Sequence, residues 1–293
     1  MAPAYGAGRI PVRSRRQAMD WSLVLLSQGI EATVLSPAGD EGWMLEVSGQ
    51  EMERALKTLR LYRIENRGWP WREVLPNGEA YFSWGCIAWA AVMILFYWLS
   101  VQFPAIENSG VMNSAKVSGG QWWRIFTAMT LHADMAHLAE NLSLGIVLVG
   151  LTMGVYGTGT GLFAAYLAGA MGNLASLALN AHPFVGLGSS GMVMGALGLL
   201  AAQSLRRENW GRGSVKYALG GVAAGVMLFI LFGVSPEADT AAHLGGFIGG
   251  LALGAGLVFI PKGWARSERV NFVCVIGLVA MVTATWLAAV RRG

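Results

Sequence analysis

From Trp84 to Val290 the sequence is a succession of seven apolar segments separated by more polar loops, of which the first is the longest. Each segment is close to the ~20 residues that an α-helix needs to cross the hydrocarbon core of a bilayer. Only 13% of the residues are charged and the mean hydropathy is +0.48, whereas about a quarter of the residues of a soluble domain are charged. The sequence therefore predicts an all-α membrane protein. The predicted spans are Trp84–Phe103, Met135–Met153, Gly161–Asn180, Gly188–Leu205, Val215–Val234, Ala241–Ile260 and Val270–Val290.

The first 83 residues differ in composition from the rest of the chain. They carry ten Lys/Arg and ten Asp/Glu, whereas the remaining 210 residues carry eleven and seven. Their pattern predicts a helix, two short strands around the turn-forming segment PAGDEG, and a second helix, as in a small soluble α+β domain. The predicted organisation is a disordered tail over 1–14, a cytoplasmic α+β domain over 15–68, an interfacial linker over 69–83, a membrane core over 84–260, and a cytoplasmic loop, a seventh transmembrane helix and the C-terminus over 261–293.

Lys and Arg in the loops predict the orientation of the spans. Basic loops at 206–216 and 261–269 indicate the cytoplasmic side, as does the Arg-rich head, and the loop 235–239 indicates the outside. A cytoplasmic N-terminus and seven spans agree with all four of these indications, although Arg291 and Arg292 then lie outside. No cleavable signal peptide is visible at the N-terminus. The basic residues of these loops also account for the pI near 9.3. We therefore expect the excess positive charge to interact with the bilayer, and no nucleic-acid partner is predicted.

Two consecutive serines, Ser189 and Ser190, stand at the outer end of the fourth predicted span. His243 stands near the outer end of the sixth span, and an ionisable side chain at membrane depth indicates a function. An activated serine needs a base within hydrogen-bond reach, so the two spans would have to pack closely. Glycines with the spacing that allows such packing follow both residues, but glycine runs of this kind also occur as packing motifs without chemistry. They are Gly191, Gly195 and Gly198 after the serine, and Gly246, Gly250 and Gly254 after the histidine.

The second predicted span adds polar groups at the same depth. His137 and Asn141 are four residues apart and share a helix face, and His132 comes just before the helix. An imidazole and an amide are neutral N–H donors, and they suit an oxyanion hole together with the backbone N–H of Ser190. Two histidines and an amide without a carboxylate or thiolate in register form a poor metal site. The sequence therefore predicts neither a metal nor another cofactor.

Together these motifs resemble the rhomboid family of intramembrane serine proteases. The resemblance rests on GSSG at the start of one span, AHLGG in a later span, and H-x-x-x-x-H-x-x-x-N preceded by WWR, and it covers about residues 84–260. It implies a six-helix bundle with a Ser–His dyad in a water-filled cavity below the outer membrane surface. The implied substrates are single-span or polytopic membrane proteins, cleaved within or next to their spans.

The resemblance also implies a role for each matching residue. Ser190 is the nucleophile and His243 the general base, while His137 and Asn141 complete the oxyanion hole with the Ser190 amide. Ser189 occupies the variable position between the glycines. The residues expected to support the site without reacting are His132, Trp123, Arg124, Gly188, Gly191, Met194 and Gly246.

Some positions depart from the pattern of many bacterial relatives. Met194 stands in place of a tyrosine that stacks on the catalytic imidazole, although a thioether can also pack on an aromatic ring. Met153 stands in place of a glutamate that bonds the first external loop. Glu140 would replace that glutamate by pairing with Arg124, but a carboxylate facing water or headgroups is the simpler interpretation. Asp239 is expected on an outer loop four residues before His243, which leaves a dyad rather than a triad.

Two alternatives to a protease are open at this point. A catalytically inactive rhomboid-like protein would bind membrane clients without cleaving them, but both members of the dyad are present. A transporter would need charged residues or broken helices near the midplane, and such residues are few here. The expected location is the inner membrane of a bacterium, with the site opening to the periplasm. The substrate, the oligomeric state and the role of the head domain do not follow from the sequence.

Overall fold

The computed structural model describes residues 7–36, 42–66, 81–180, 183–205, 214–234 and 239–292. The chain divides after Gly78 into two compact units, each with its own core. The first unit is a mixed α/β domain, and the second is almost entirely helical.

The head unit is a three-stranded antiparallel sheet with two helices packed on it. Ile10, Leu25, Leu45 and Leu59 form the centre of its core. Its elements are β1 (Gly8–Pro11), α1 (Arg15–Ser27), β2 (Ala32–Leu35), β3 (Met44–Val47) and α2 (Met52–Glu65), and β3 lies between the other two strands.

The predicted disordered tail over 1–14 is wrong where the structure describes it. Residues 8–11 form the edge strand β1, in which Ile10 is paired with Leu45 of β3. The physical reason is burial, because Ile10 and Val12 fill the core between the sheet and the helices. Ser14 then caps α1 by accepting a hydrogen bond from the backbone N–H of Gln17 at 3.2 Å.

Eleven helices and a two-stranded ribbon make up the described part of the second unit. The helices are α3 (Cys86–Gln102), α4 (Pro104–Gly110), α5 (Ser114–Ser118), α6 (Arg124–Thr127), α7 (Met135–Tyr156), α8 (Thr158–Leu179), α9 (Ser190–Gln203), α10 (Ser214–Gly233), α11 (Thr240–Val258), α12 (Lys262–Ala265) and α13 (Glu268–Arg292). A 3₁₀ turn (Ala128–Thr130) follows α6, and β4 (Met112–Asn113) pairs with β5 (Val185–Gly186).

Each of the seven predicted spans overlaps one of these helices, but they differ in length. Among the described residues α7, α8, α11 and α13 are long and apolar enough to cross a bilayer, and α3 with α4, bent by 114° at Phe103, would make a fifth. The helix α9 has 14 residues, about 21 Å at 1.5 Å per residue, which is shorter than the ~30 Å hydrocarbon core. The number of membrane crossings therefore stays a prediction, as does the six-helix bundle.

Glycines bring α8, α9 and α11 into backbone contact. A Cβ on Gly246 of α11 would collide with the carbonyl oxygen of Gly191 on α9 and would lie 3.2 Å from its Cα. One turn further along, a Cβ on Gly250 would collide with the carbonyl of Gly195 in the same way. Gly172 of α8 likewise leaves no room for a Cβ beside α11. Small residues are needed at these positions because the three backbones touch.

The C-terminal helix α13 packs along α8 and against the segments between α3 and α7. The amide oxygen of Asn271 accepts hydrogen bonds from the backbone N–H groups of Gly159 and Thr160, at 2.8 and 3.2 Å, and so caps the start of α8. Near the other end, Trp286 stacks on Phe96 of α3, with 5.0 Å between ring centroids. The helix is therefore joined to the core at both ends.

Candidate active site

Ser190 is the first residue of α9 and follows a turn that only glycine can make. Gly188 has φ +125°, a conformation that other residues avoid. Its N–H donates to the carbonyl of Ala128 at 3.0 Å, which ties the turn to the core. Ser190 is partly exposed, whereas Ser189 is completely buried. Of the two serines, only Ser190 has part of its surface exposed.

His243 lies in the first turn of α11, and its ring is almost completely buried. Its Nδ1 lies 2.7 Å from the carbonyl oxygen of Gly233, at the end of α10. Since a carbonyl can only accept, Nδ1 carries a proton, and in the neutral form of the ring the lone pair is on Nε2. This is the tautomer that a general base needs. The partner was missed by sequence analysis because a backbone carbonyl has no signature in the sequence.

The contact between Gly191 and Gly246 positions the serine relative to the histidine. Gly191 directly follows Ser190, and Gly246 lies one turn after His243. A Cβ on Gly191 would lie 3.5 Å from the carbonyl oxygen of Ala242, the residue just before His243. Within the described residues no hydrogen bond joins Ser190 to His243. The structure therefore brings the two backbone segments together without a formed dyad.

Asp239 is used for helix capping. One carboxylate oxygen accepts the backbone N–H of Ala242 at 3.0 Å and the other accepts the hydroxyl of Ser176 from α8. Its backbone carbonyl accepts the N–H of His243 at 3.0 Å. Asp239 therefore fixes the first turn of α11 against α8, while the imidazole of His243 is bonded to Gly233.

His137 and Asn141 flank the turn that leads to Ser190. A Cβ on Gly188 would lie 2.8 Å from both Cε1 and Nε2 of His137, and 3.8 Å from the amide nitrogen of Asn141. That nitrogen donates one hydrogen bond to the carbonyl of His137 at 3.0 Å and has a second N–H to donate. The structure thus places His137 and Asn141 beside Gly188, two residues before Ser190, and leaves no room there for a side chain larger than that of glycine.

Ser189 and His132 form a second serine–histidine pair behind the turn. His132 Nε2 lies 3.2 Å from the Ser189 hydroxyl and 3.5 Å from its backbone nitrogen. Both side chains are at most 2% exposed, and the ring of His132 packs edge-to-face on His137, with 5.4 Å between centroids. Burial, and then the nearby His137, lowers the pKa of His132 to about 4, so its ring is neutral at pH 7. This pair supports the turn, and sequence analysis missed it because Ser189 was assigned to a variable position.

Ser189→Ala is expected to lower the free energy of unfolding by about 1–3 kcal/mol, because the buried His132 loses a hydrogen-bond partner. His132→Ala is expected to destabilise at least as much. If Ser190 is the reactive serine, both proteins should still react with a serine-directed fluorophosphonate below their melting temperatures, since Ser189 and His132 lie behind the turn. Thermal unfolding in detergent measures the loss, with the exposed Ser143→Ala as the matched control. A Ser189→Ala protein that is as stable as Ser143→Ala would contradict this role.

Trp123 and Arg124 anchor the segment between α3 and α7. The Arg124 side chain is fully buried and donates to the Gln121 side chain at 2.7 Å and to the carbonyls of Val111 at 2.7 Å and Asn108 at 3.0 Å. The indole of Trp123 donates to a carbonyl at the end of α4, at 3.3 Å. Glu140 is exposed. The cation is therefore satisfied by its own loop, and pairing with Glu140 is not observed.

The polar side chains of the site that could bind a metal ion are imidazole, amide and hydroxyl groups. Across the described residues no three His, Cys, Asp or Glu side chains come close enough to hold a metal ion.

Comparison with known proteins identifies the family. Residues 119–260 match the Rhomboid domain, a range that contains the serine pair and all the histidines of the site. The chain is 30% identical to the rhomboid protease GluP of Bacillus subtilis over 209 residues, which are 67% of this chain and 38% of that protein. The chain belongs to the rhomboid family. With its long apolar helices, this makes it an integral membrane protein.

Other rhomboid proteins match over similar parts of the chain. The mitochondrial RHOMBOID-like protein 6 of Arabidopsis thaliana is 29% identical over 162 residues, 54% of this chain and 52% of that protein. The rhomboid protease AarA of Providencia stuartii is 26% identical over 248 residues, 70% of this chain and 83% of that protein. The chain thus spans about two fifths of the length of GluP and about half the length of the Arabidopsis protein.

The two methionines that depart from the rhomboid pattern are both buried. Met194 lies beside the end of α10, where its sulfur would be 3.2 Å from a Cβ on Gly233, the residue that bonds His243. Met153 lies at the opposite end of α7 from His137, where its methyl group would be 2.7 Å from a Cβ on Gly85. Met194 therefore packs next to Gly233, whose carbonyl bonds the His243 imidazole. Met153 packs against the start of α3.

Proposed function

We propose that this rhomboid protein is an intramembrane serine endopeptidase in which Ser190 is the nucleophile and His243 is the general base. The observation that carries the proposal is the backbone contact of Gly191 with Gly246. It brings the start of α9 to the first turn of α11, where His243 already has the tautomer of a base. The remaining hydrogen bond, from the Ser190 hydroxyl to His243 Nε2, is expected to form in the substrate complex, because catalytic hydrogen bonds often tighten when substrate binds.

The chemistry follows from these atoms. His243 Nε2 accepts the proton of the Ser190 hydroxyl as the oxygen attacks the scissile carbonyl carbon. The oxyanion accepts hydrogen bonds from His137, Asn141 and the backbone N–H of Ser190. His243 then returns the proton to the leaving amine as the C–N bond breaks. A water molecule, deprotonated by the same imidazole, hydrolyses the acyl-enzyme and restores the serine.

A Ser–His dyad suffices because a backbone carbonyl can orient the imidazole, as the carboxylate does in a catalytic triad. The carbonyl of Gly233 holds the ring of His243 in one orientation and stabilises the N–H that becomes part of the imidazolium. Asp239 has both carboxylate oxygens engaged in joining α8 to α11. Its contribution to catalysis is the placement of the helix that carries His243.

In the proposed arrangement α3, α7, α8, α9, α10 and α11 form the six-helix core and α13 is a seventh span. Because α9 is short and begins at Ser190, the nucleophile lies below the membrane surface, where water enters from outside. The substrates are single-span or polytopic membrane proteins, cleaved within or next to their spans. The excess of Lys and Arg in the loops 206–216 and 261–269 supports a cytoplasmic N-terminus.

Reporter fusions test this orientation. Fusions after Asn180 and after Pro236 are expected to read as external, and fusions near Arg212 and Trp264 as cytoplasmic, because cytoplasmic loops retain an excess of Lys and Arg. Alkaline phosphatase and a fluorescent protein provide the two complementary readouts. Cytoplasmic signals from both Asn180 and Pro236 would reverse the proposed direction of the active site.

His137→Ala and Asn141→Ala are each expected to lower turnover by about 10²–10³-fold, because each removes one donor to the oxyanion. KM should change little, since the interaction forms only in the transition state. The double variant should lose less than the product of the single effects, because both donors serve one oxygen. Initial cleavage rates in proteoliposomes measure this, with Glu140→Gln, an exposed neighbour on α7, as the control. A fully active Asn141→Ala beside an inactive but stable His132→Ala would contradict this oxyanion hole.

The function itself is tested by reconstituting the full chain with a panel of single-span substrates that carry a reporter on each side of the span. We expect the wild type to release fragments cut in or next to the span, and Ser190→Ala to release none. Binding without cleavage by both proteins would favour the other candidate, an inactive rhomboid-like protein that binds clients.

A further inference from the structure

Helix α1 of the head unit is apolar on two opposite faces. One face, with Ala18 and Leu25, is fully buried against the sheet and α2. The other carries Met19, Leu23 and Leu26, which are 48%, 61% and 60% exposed. Their spacing of four and three residues aligns them along one side of the helix. This exposed row, the α1 stripe, has no covering element among the described residues.

The surroundings of the α1 stripe are basic. Helices α1 and α2 pack against each other on one side of the sheet and carry six exposed Lys and Arg residues against three Asp and Glu. Arg15 and Arg16, in the first turn of α1, flank the stripe on either side. The six basic residues are Arg15, Arg16, Arg54, Lys57, Arg60 and Arg63.

The opposite face of the sheet carries a polar row of balanced charge. Arg9, Glu46 and Thr33 lie side by side across the three strands. Arg9 and Glu46 form an ion pair at 3.5 Å. The excess of exposed basic residues together with strongly exposed apolar ones is therefore found on the helix side, and this combination is the composition of an interfacial helix.

We propose that the α1 stripe docks the head unit onto the surface of a bilayer that contains anionic phospholipids. The apolar side chains enter the boundary between headgroups and acyl chains, and the flanking arginines bind lipid phosphates. The chain length allows this, because α2 ends at Glu65 and the first membrane helix begins at Cys86. The intervening residues span at most about 70 Å when extended, so the head unit cannot leave the neighbourhood of the membrane.

Charge favours lipid over a second copy of the chain. Two copies that met along the α1 stripe would bring Arg15 and Arg16 of each close to the same residues of the other, and Asp20 is the single acidic side chain of α1 that could offset these two charges. An anionic surface supplies the missing countercharge. The inference does not depend on catalysis, so it can be tested in the Ser190→Ala protein.

The test places the photoreactive residue p-benzoylphenylalanine at position 23 or 26 of the full chain, or at position 33 on the sheet face as the matched control. The protein is reconstituted in vesicles of phosphatidylcholine, with or without phosphatidylglycerol, irradiated and analysed by mass spectrometry. We expect phospholipid adducts at 23 and 26 in the vesicles that contain phosphatidylglycerol, and few at 33. Arg15→Gln and Arg16→Gln should each lower the yield by about fivefold, whereas Arg9→Gln, on the polar face, should not.

Several outcomes would overturn the proposal. Adducts at 23 to a second copy of the chain would make the α1 stripe a dimer interface. Adducts to another segment of the same chain would make it an intramolecular contact. Equal lipid yields at 23 and 33, or yields at 23 that do not respond to phosphatidylglycerol and the arginines, would remove the specific docking surface. Folding of each variant is checked by its thermal unfolding profile.

Discussion

Ser190→Ala is expected to abolish cleavage, with turnover lower by at least about 10³-fold, because no other group replaces the nucleophile of an acyl-enzyme mechanism. Ser189→Ala is the matched control, since it removes the same atom from the adjacent residue. It should keep most of the activity at temperatures where it is folded. Ser189 is buried behind the turn and bonded to His132, while Ser190 is the accessible member of the pair.

A fluorophosphonate probe separates chemistry from folding in this comparison. It should label the wild type and Ser189→Ala, and it should fail to label Ser190→Ala at matched protein concentration. His243→Ala should also lose labelling, because the hydroxyl is not activated without a base. Persistent labelling of Ser190→Ala, or equal loss of cleavage in the two serine variants, would assign the nucleophile to another residue.

Gly246→Ala is expected to lower turnover by at least about 10²-fold, because the new methyl group has no room beside the carbonyl of Gly191. The helix α11 must move away from α9, which separates His243 from Ser190, and a displacement of about 1 Å can cost this much in rate. The same overpacking should lower the free energy of unfolding by about 1–3 kcal/mol. Cleavage rates and thermal unfolding of the reconstituted protein measure the two effects.

Gly256→Ala is the matched control for this prediction. It makes the same substitution on the same helix, at a position where nothing lies within 4 Å of a new Cβ. Activity should be unchanged, and the helix should be stabilised by up to about 1 kcal/mol, because alanine has the higher helix propensity. Full activity of Gly246→Ala would show that the contact of α9 with α11 does not set the distance between serine and histidine.

The difference between the two serines illustrates how far sequence analysis reached. The GSSG motif and its match to the rhomboid pattern selected Ser190 and left Ser189 as a variable position. The structure adds that Ser189 is bonded to His132. A hydrogen bond between residues 57 positions apart has no local pattern, so it emerges only when the chain is folded.

The support of the base is a similar case. His243 was recognised because an imidazole is rare among apolar residues, but its partner is the carbonyl of Gly233 on α10. Every residue has such a carbonyl, so nothing in the sequence distinguishes this one. The partners of Arg124 were missed for the same reason, since two of them are backbone carbonyls of its own loop.

The sequence by itself determined the features that depend on local chemistry. The apolar segments specified the helices because backbone groups in a bilayer must be bonded within each segment. Glycine spacing indicated which helix faces could approach, and the rare polar residues indicated a candidate site at one depth. These signals are carried by side chains within a few turns of helix, where spacing alone decides which groups share a face.

Only the tertiary structure decided which backbone atoms meet across helices. It added β1 to the head sheet, because Ile10 is needed in a core formed by distant residues. It also left the α1 stripe exposed although its composition would equally suit a core. Burial and hydrogen bonding between distant segments depend on the whole path of the chain, and that path is set by the sum of many packing contacts rather than by any one pattern.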